Sequence, residues 1–131
     1  MALYGTLHEN KDFRRAYKSG KSCVSPALVV YVCKNRAGFC RLGITAGKKL
    51  GGAVQRNRAK RVIRAAFYDV YKHRLQNSPA LQNRGVDIVI VARYKATQLK
   101  STRLQPMLTD CFQKTGLLAG NRRPKTEESK T

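Results

Sequence analysis

Arg56, Arg58, Lys60, Arg61 and Arg64 place five cations within nine residues, with Asn57 between the first two. Arginine forks grip phosphate oxygens in pairs, so the chemistry on offer is recognition of a polyanion. Hydrolytic chemistry is harder to find. Outside Glu127 and Glu128 the acids are Glu9, Asp12, Asp69, Asp87 and Asp110, and His8 and His73 stand alone. A protein-borne nuclease needs clustered carboxylates around metal ions, or a histidine acid–base pair. No catalytic residue and no metal ligand is therefore assigned. Glu9 and Asp12 read as acids at a helix start, where they serve as caps. Asp87 reads as the opening of a buried strand. Cys23, Cys33, Cys40 and Cys111 lack Cys-x-x-Cys spacing and have no histidine partner nearby. They read as reduced thiols packed as small apolar residues, with no zinc bound.

The cationic cluster needs a helix to display it. From about Ala53 to Leu75, Ala59, Val62, Ile63, Ala66, Phe67, Val70 and Tyr71 keep the 3.6-residue period, and Asn77-Ser78-Pro79 ends the run. Arg58, Arg61 and Lys72 then fall opposite the apolar stripe, with Asn57 and Arg64 beside them. Cations at a helix N-terminus oppose the macrodipole and cost stability, yet free N–H groups, dipole and guanidinium all attract the same phosphate. Gly47-Lys48-Lys49-Leu50-Gly51-Gly52 leads in as a flexible basic loop. Upstream, Asn10 is placed to cap a helix that stops at Gly20 and sets Phe13, Ala16 and Tyr17 on one face. Lys21 to Ser25 reads as a short strand. Ala27 to Lys34 alternates, with Ala27, Val29, Tyr31 and Cys33 opposite Leu28, Val30 and Val32. Asn35 to Gly38 carries turn chemistry and Phe39 to Thr45 resumes as a strand, so the pair is expected to form a hairpin. Val86 to Arg93 is nearly all apolar and predicts a central strand covered on both faces. Ser101 to Lys114 is the last helix, with Leu104, Leu108, Cys111 and Phe112 inward; its regular part is expected to begin near Pro106, which removes an interior N–H.

The chain has 131 residues, room for one domain. Lys and Arg number 27 against 7 acids, a formal net charge of +20, and hydrophobic residues make up 42%. That is enough apolar content for a core, and so much positive charge on a folded domain points to a polyanionic partner. Between Asp12 and Asp69 there are 14 Lys or Arg and no acid, which predicts a continuous positive surface. No apolar run approaches the ~20 residues of a membrane span. Met1-Ala2-Leu3-Tyr4 leads straight into polar sequence, so no signal peptide is expected and the expected location is cytoplasmic. Residues 119–131 lack apolar periodicity and read as a disordered tail behind a single domain over 1–118. Composition cannot exclude a ribosomal or chaperone-type RNA binder; a duplex-DNA module is disfavoured because nothing resembles a paired-helix reader with a short turn, and a stand-alone nuclease lacks the clustered carboxylates or histidine pair it needs.

Ordered motifs separate these classes. The string from Lys48-Lys49-Leu50-Gly51-Gly52 through Arg56-Asn57-Arg58 to Lys60-Arg61-Val62-Ile63-Arg64 closely resembles the signature of the bacterial ribonuclease P protein family. The resemblance extends back through Asn10 to Tyr17 and Arg41 to Thr45, forward through Asp87 to Arg93, and covers roughly residues 6 to 118. Gly52 stands where the family often has Asn, and Tyr17 where it often has Phe. The resemblance implies an α+β, two-layer αβββαβα sandwich with a left-handed βαβ crossover, where general chirality would have given a right-handed one. It implies removal of the 5′ leader of precursor tRNA by a catalytic RNA subunit, with Mg²⁺ held mainly by RNA and substrate. It also implies that Lys48, Lys49, Arg56, Asn57, Arg58, Lys60, Arg61 and Arg64 face that RNA. Phe13, Tyr17 and Tyr31 would take the single-stranded leader in a cleft. The implied partners are the catalytic RNA and precursor tRNA, not DNA or membrane, with weak self-association left open. Stacking rings within a positive groove give the cleft an independent rationale; the competing reading makes all three rings core.

Overall fold

The chain runs β1 (Gly5–Thr6), α1 (Asn10–Ser19), β2 (Lys21–Val24), β3 (Leu28–Asn35), β4 (Cys40–Thr45), α2 (Ala53–Val70), β5 (Gly85–Ala92) and α3 (Ser101–Lys114). These bounds come from a computed structural model that describes residues 4–81 and 85–118; the expected tail at 119–131 lies outside them. The result is a mixed α+β fold in the αβββαβα order, preceded by one short strand. The sheet order is β1-β4-β5-β3-β2.

The expected hairpin does not form. A turn joins β3 to β4, but β5 inserts between them, antiparallel to β3 from Leu28↔Ala92 to Asn35↔Gly85 and parallel to β4 from Cys40↔Val86 to Thr45↔Val91. The four residues between Asn35 and Cys40 can reach across two strand spacings, about 10 Å. An apolar strand such as β5 leaves no backbone group unpaired when both its edges are occupied. All of Gly85–Ala92 except Val91 is buried, which matches the expectation of a central strand.

Alternation divides the sheet cleanly. Val86, Ile88 and Ile90 of β5, with Leu28, Val30 and Leu42, pack against Ile63, Phe67, Leu104, Leu108 and Phe112 of α2 and α3. The other face carries Tyr31, Cys33, Val89 and Val91, and meets Leu7 with Phe13 and Ala16 of α1. The main sandwich is thus sheet against α2 and α3, while α1 crosses part of the second face. β1 had no legible signal, since two residues hold no periodicity; it pairs in parallel with β4 and brings Tyr4 edge-on to Phe67 and Tyr71, at 4.9 and 5.0 Å between ring centroids.

Four local expectations are corrected. Glu9, not Asn10, is the N-cap of α1, and it makes no side-chain cap bond. Lys48–Leu50 is a 3₁₀ turn rather than a flexible loop, because Leu50 buries its side chain in the core. The run from Ala53 continues to Leu75, but its last turn, Tyr71–Leu75, widens to a π-helix in which Gln76 N–H donates to the Tyr71 carbonyl at 2.8 Å. α3 starts at Ser101, a full turn before Pro106. The carbonyl deprived of a donor by Pro106 is that of exposed Thr102, where water can satisfy it, while Leu104 is fully buried.

The four thiols are free; Cys23, Cys40 and Cys111 are buried and Cys33 is half-buried. Burial, with Asp87 adding to it, pushes the Cys40 thiol from its ordinary 9.0 up to about 12. Burial and a hydrogen bond with Cys23 push Cys111 likewise to about 12. The unfolded chain ionises these thiols near pH 9 and the folded chain does not, so their contribution to stability is intact below about pH 9 and is lost as pH rises toward 12. Urea midpoints should therefore fall across that alkaline window, and Cys40→Ala should blunt the fall. At pH 8, alkylation of the folded protein should modify Cys33 first, whereas equal reaction of Cys23, Cys40 and Cys111 would contradict their burial.

Candidate nucleic-acid interface

Residues of α2 point in three directions because successive side chains rotate by about 100°. Asn57, Arg61 and Arg64 are exposed, as are Lys48 and Lys49 on the preceding turn. Arg58 does not stand opposite the apolar stripe as expected. It is half-buried on the α3 side, where Nη1 donates to the Leu99 carbonyl at 3.4 Å. Arg56 is also half-buried, and its Nε is the buried side-chain polar atom left without a partner among the described residues. Gly52 caps α2 with no side-chain bond and no acid occupies the first turn, so neither the cap nor the first turn neutralises this helix start.

The opposite flank of α2 carries Lys60 and Arg64 around the sheet edge. Together with Tyr4, Phe13, Leu42 and Gly43 they line a concavity of ≈ 190 Å³. Side chains that the family resemblance assigned to different partners therefore meet here: Lys60 and Arg64 of α2 and Phe13 of α1. Phe13 lies directly over Gly43, where a Cβ would come within 2.6 Å of the ring. Tyr17 is 42% exposed and sits edge-on to Tyr31, with ring centroids 5.0 Å apart; Phe13 and Tyr17 are 6.5 Å apart. Phe13 and Tyr31 are half-buried. The three rings are contiguous, with Tyr17 open to solvent while Phe13 and Tyr31 also pack against Leu7, Ala16 and Val89.

Reading the acids as caps missed a charge cluster behind α1. Asp12 and Asp87 are buried, Asp87 completely. Asp87 accepts from Arg41 Nε at 2.8 Å and Nη2 at 2.9 Å, from Arg15 Nη2 at 3.0 Å and from Asn35 Nδ2 at 2.6 Å. Arg15 also pairs with Asp12 at 2.9 Å, and Arg41 approaches Asp12 at 3.7 Å. The hydrogen bonds with Asp87 raise the Arg41 guanidinium above its ordinary value. Two of the cations that the sequence offered to a positive surface are therefore spent internally. The sequence did carry a signal: one acid inside an apolar strand demands a buried cationic partner.

Among the described residues the other acids are engaged too: Glu9 approaches Lys11 at 3.5 Å. Asp69 accepts from Gln105 at 3.0 Å and Asp110 pairs with Lys114 at 3.1 Å. Among the described residues, no group of three or more His, Cys, Asp or Glu is placed to hold a metal ion. None of the described helices is long and apolar enough to cross a membrane.

Residues 2–116 match the family model described as Ribonuclease P. The chain is 35% identical over 111 residues to a ribonuclease P protein component of Clostridium botulinum (strain Langeland), spanning 85% of this chain and 94% of the relative. It is also 35% identical over 121 residues to that of Natranaerobius thermophilus, spanning 92% and 98%. Its fold is similar to the RNase P protein of Staphylococcus aureus, with a TM-score of 0.69 and 34% identity over 90% of this chain and 99% of that one. The RNase P protein of Thermotoga maritima is similar at a TM-score of 0.62 and 29% identity, over 80% and 92%.

The tight seat of Phe13 gives a direct test of this surface. Gly43→Ala should force the ring aside and destabilise the fold by about 1–3 kcal/mol, the usual cost of overpacking. Urea unfolding measures the loss; an unchanged midpoint would mean that the ring has room to move.

Proposed function

The chain belongs to the bacterial ribonuclease P protein family, and from that premise we propose that it assembles with a catalytic RNA to remove the 5′ leader of precursor tRNA. The observation that carries this reading is that Lys60 and Arg64 of the basic helix line one concavity with Phe13, whose ring continues through Tyr17 to Tyr31. Single strands are held without sequence preference by rings for the bases and cations for the phosphates. In this reading Phe13, Tyr17 and Tyr31 stack leader bases. Lys60 and Arg64 neutralise the adjoining phosphates, a role added to the RNA-subunit contact that the family resemblance implies for them. Lys48, Lys49, Arg56, Asn57, Arg58 and Arg61 bind the RNA subunit. The uncapped start of α2 supports that assignment, since its free N–H groups offer donors to a phosphate.

Bond cleavage belongs to the RNA in this division of labour. Mg²⁺ is held mainly by RNA and substrate, because the acids described above are paired within the protein. The protein's part is to offset phosphate repulsion so that RNA, leader and Mg²⁺ can converge. The work takes place in the cytoplasm, on RNA and not on DNA.

Three outcomes test the proposal. Nuclease-treated, RNA-free protein should not cleave precursor tRNA at any Mg²⁺ concentration, and correct 5′ cleavage by it would sink the division of labour. Arg61→Ala together with Lys49→Ala should weaken assembly with the RNA subunit and flatten the slope of log K against log salt by roughly 0.7–0.9 for each phosphate no longer neutralised. Phe13→Ala and Tyr17→Ala should weaken the holoenzyme's binding to precursor tRNA by about 1–3 kcal/mol per stacked base and leave mature tRNA unaffected. A melting curve separates that loss from unfolding.

A further inference from the structure

We infer that Asp87 is a positioning residue for the leader: through Arg15 it holds α1 so that Phe13 and Tyr17 stand over the cleft floor. The inference rests on the leader reading above and concerns a residue outside the cleft. The sheet register sets the geometry. Cys33, Asp87 and Arg41 lie side by side across β3, β5 and β4, and the next row on the same face is Tyr31, Val89 and Gly43. Two residues along a strand separate the rows by about 7 Å. α1 crosses both rows. Its Asp12 and Arg15 join the charged row, while Phe13 lies over Gly43 and Tyr17 against Tyr31 in the aromatic one.

Apolar contact holds α1 at few points. Its fully buried apolar side chain is Ala16, which meets Val89 and Leu7, and half-buried Phe13 is seated on Gly43. These contacts resist a slide along the sheet but leave rotation of the helix about them less constrained. The carboxylate of Asp87 removes that freedom, because its oxygens accept four hydrogen bonds from α1, β4 and the end of β3 at once. Apolar replacements for buried ion pairs are often as stable, and the best-attested use of such groups is to fix register. Gly85 serves the same arrangement, since a Cβ there would overlap Asn35 Oδ1 at 1.8 Å.

The sign of the effect separates positioning from plain electrostatics. Removing a negative charge near a polyanion site should tighten RNA binding if charge alone matters. Positioning predicts the reverse. The experiment uses holoenzyme reconstituted from the chain and its RNA subunit, and measures the affinity ratio of precursor to mature tRNA at several salt concentrations. Asp87→Asn and Arg15→Gln should each lower that ratio about tenfold, within the range that losing one stacked base costs. The salt slope should not change, and Arg15→Lys should restore part of the ratio. Equal or tighter precursor binding by Asp87→Asn overturns the inference. So does a flattening by about 0.7 in Arg15→Gln, which would make Arg15 a direct phosphate contact. Should Asp87→Asn fail to fold, Arg15→Gln decides alone, because it leaves the Arg41–Asp87 pair in place. If the unaltered chain shows no leader preference, the leader reading itself falls and this inference falls with it.

Discussion

The alternation of β5 is what both halves of the molecule lean on. Val86, Ile88, Ile90 and Ala92 turn one way and close the core with α2 and α3. Asp87, Val89 and Val91 turn the other way and form, in order, an anchor for Arg15 and Arg41, the floor under Ala16 and the open end of the face. Because β5 sits between β3 and β4, each of its rows continues on both sides. A shift by one residue would exchange the two sets and put the aspartate into the apolar core. Register, core and cleft are therefore one choice.

Charge is handled by the same layout. The surface carries most of a +20 excess, and repulsion within it is tolerated rather than cancelled. Buried acids are used sparingly, each with cations around it: Asp12 and Asp87 take Arg15 and Arg41 into a closed network. At the start of α2 the opposite rule holds. No acid stands in the first turn of α2 or in the turn that carries Lys48 and Lys49, and cations occupy the end of the helix that repels them. An anionic partner relieves both penalties together.

The aromatic face depends on what is missing beneath it. Gly43 leaves room for the Phe13 ring, and Ala16 lets α1 come down close to Val89. Larger residues at either place would lift the helix and separate Phe13 from the sheet. Cations reach this face from α2 because Lys60 and Arg64 are one turn apart on the flank that overhangs β4.

Much of this was legible before folding. The period of Ala59 to Tyr71 defined α2, the alternation of Ala27 to Cys33 defined both faces of β3, and the apolar run from Val86 marked a central strand. Local patterns of this kind survive because they depend on neighbours three or four residues away. The cationic cluster, its wrong-end placement and the family resemblance were likewise matters of order along the chain. Partners distant in sequence were not legible. Turn chemistry at Asn35–Gly38 suggested β3 beside β4, yet the strand that pairs with both, Gly85–Ala92, follows only after the whole of α2. Asp12 and Asp87 looked like a cap and a strand start, since nothing local links them to Arg15 and Arg41. Lys60 and Arg64 were grouped with the rest of α2, and only the sheet edge separates them from Arg58. Sequence determined which residues could form elements and bind phosphate. Tertiary structure alone decided which charges stay buried and which face the aromatic rings, because pairing across the sheet is a long-range choice made by burial.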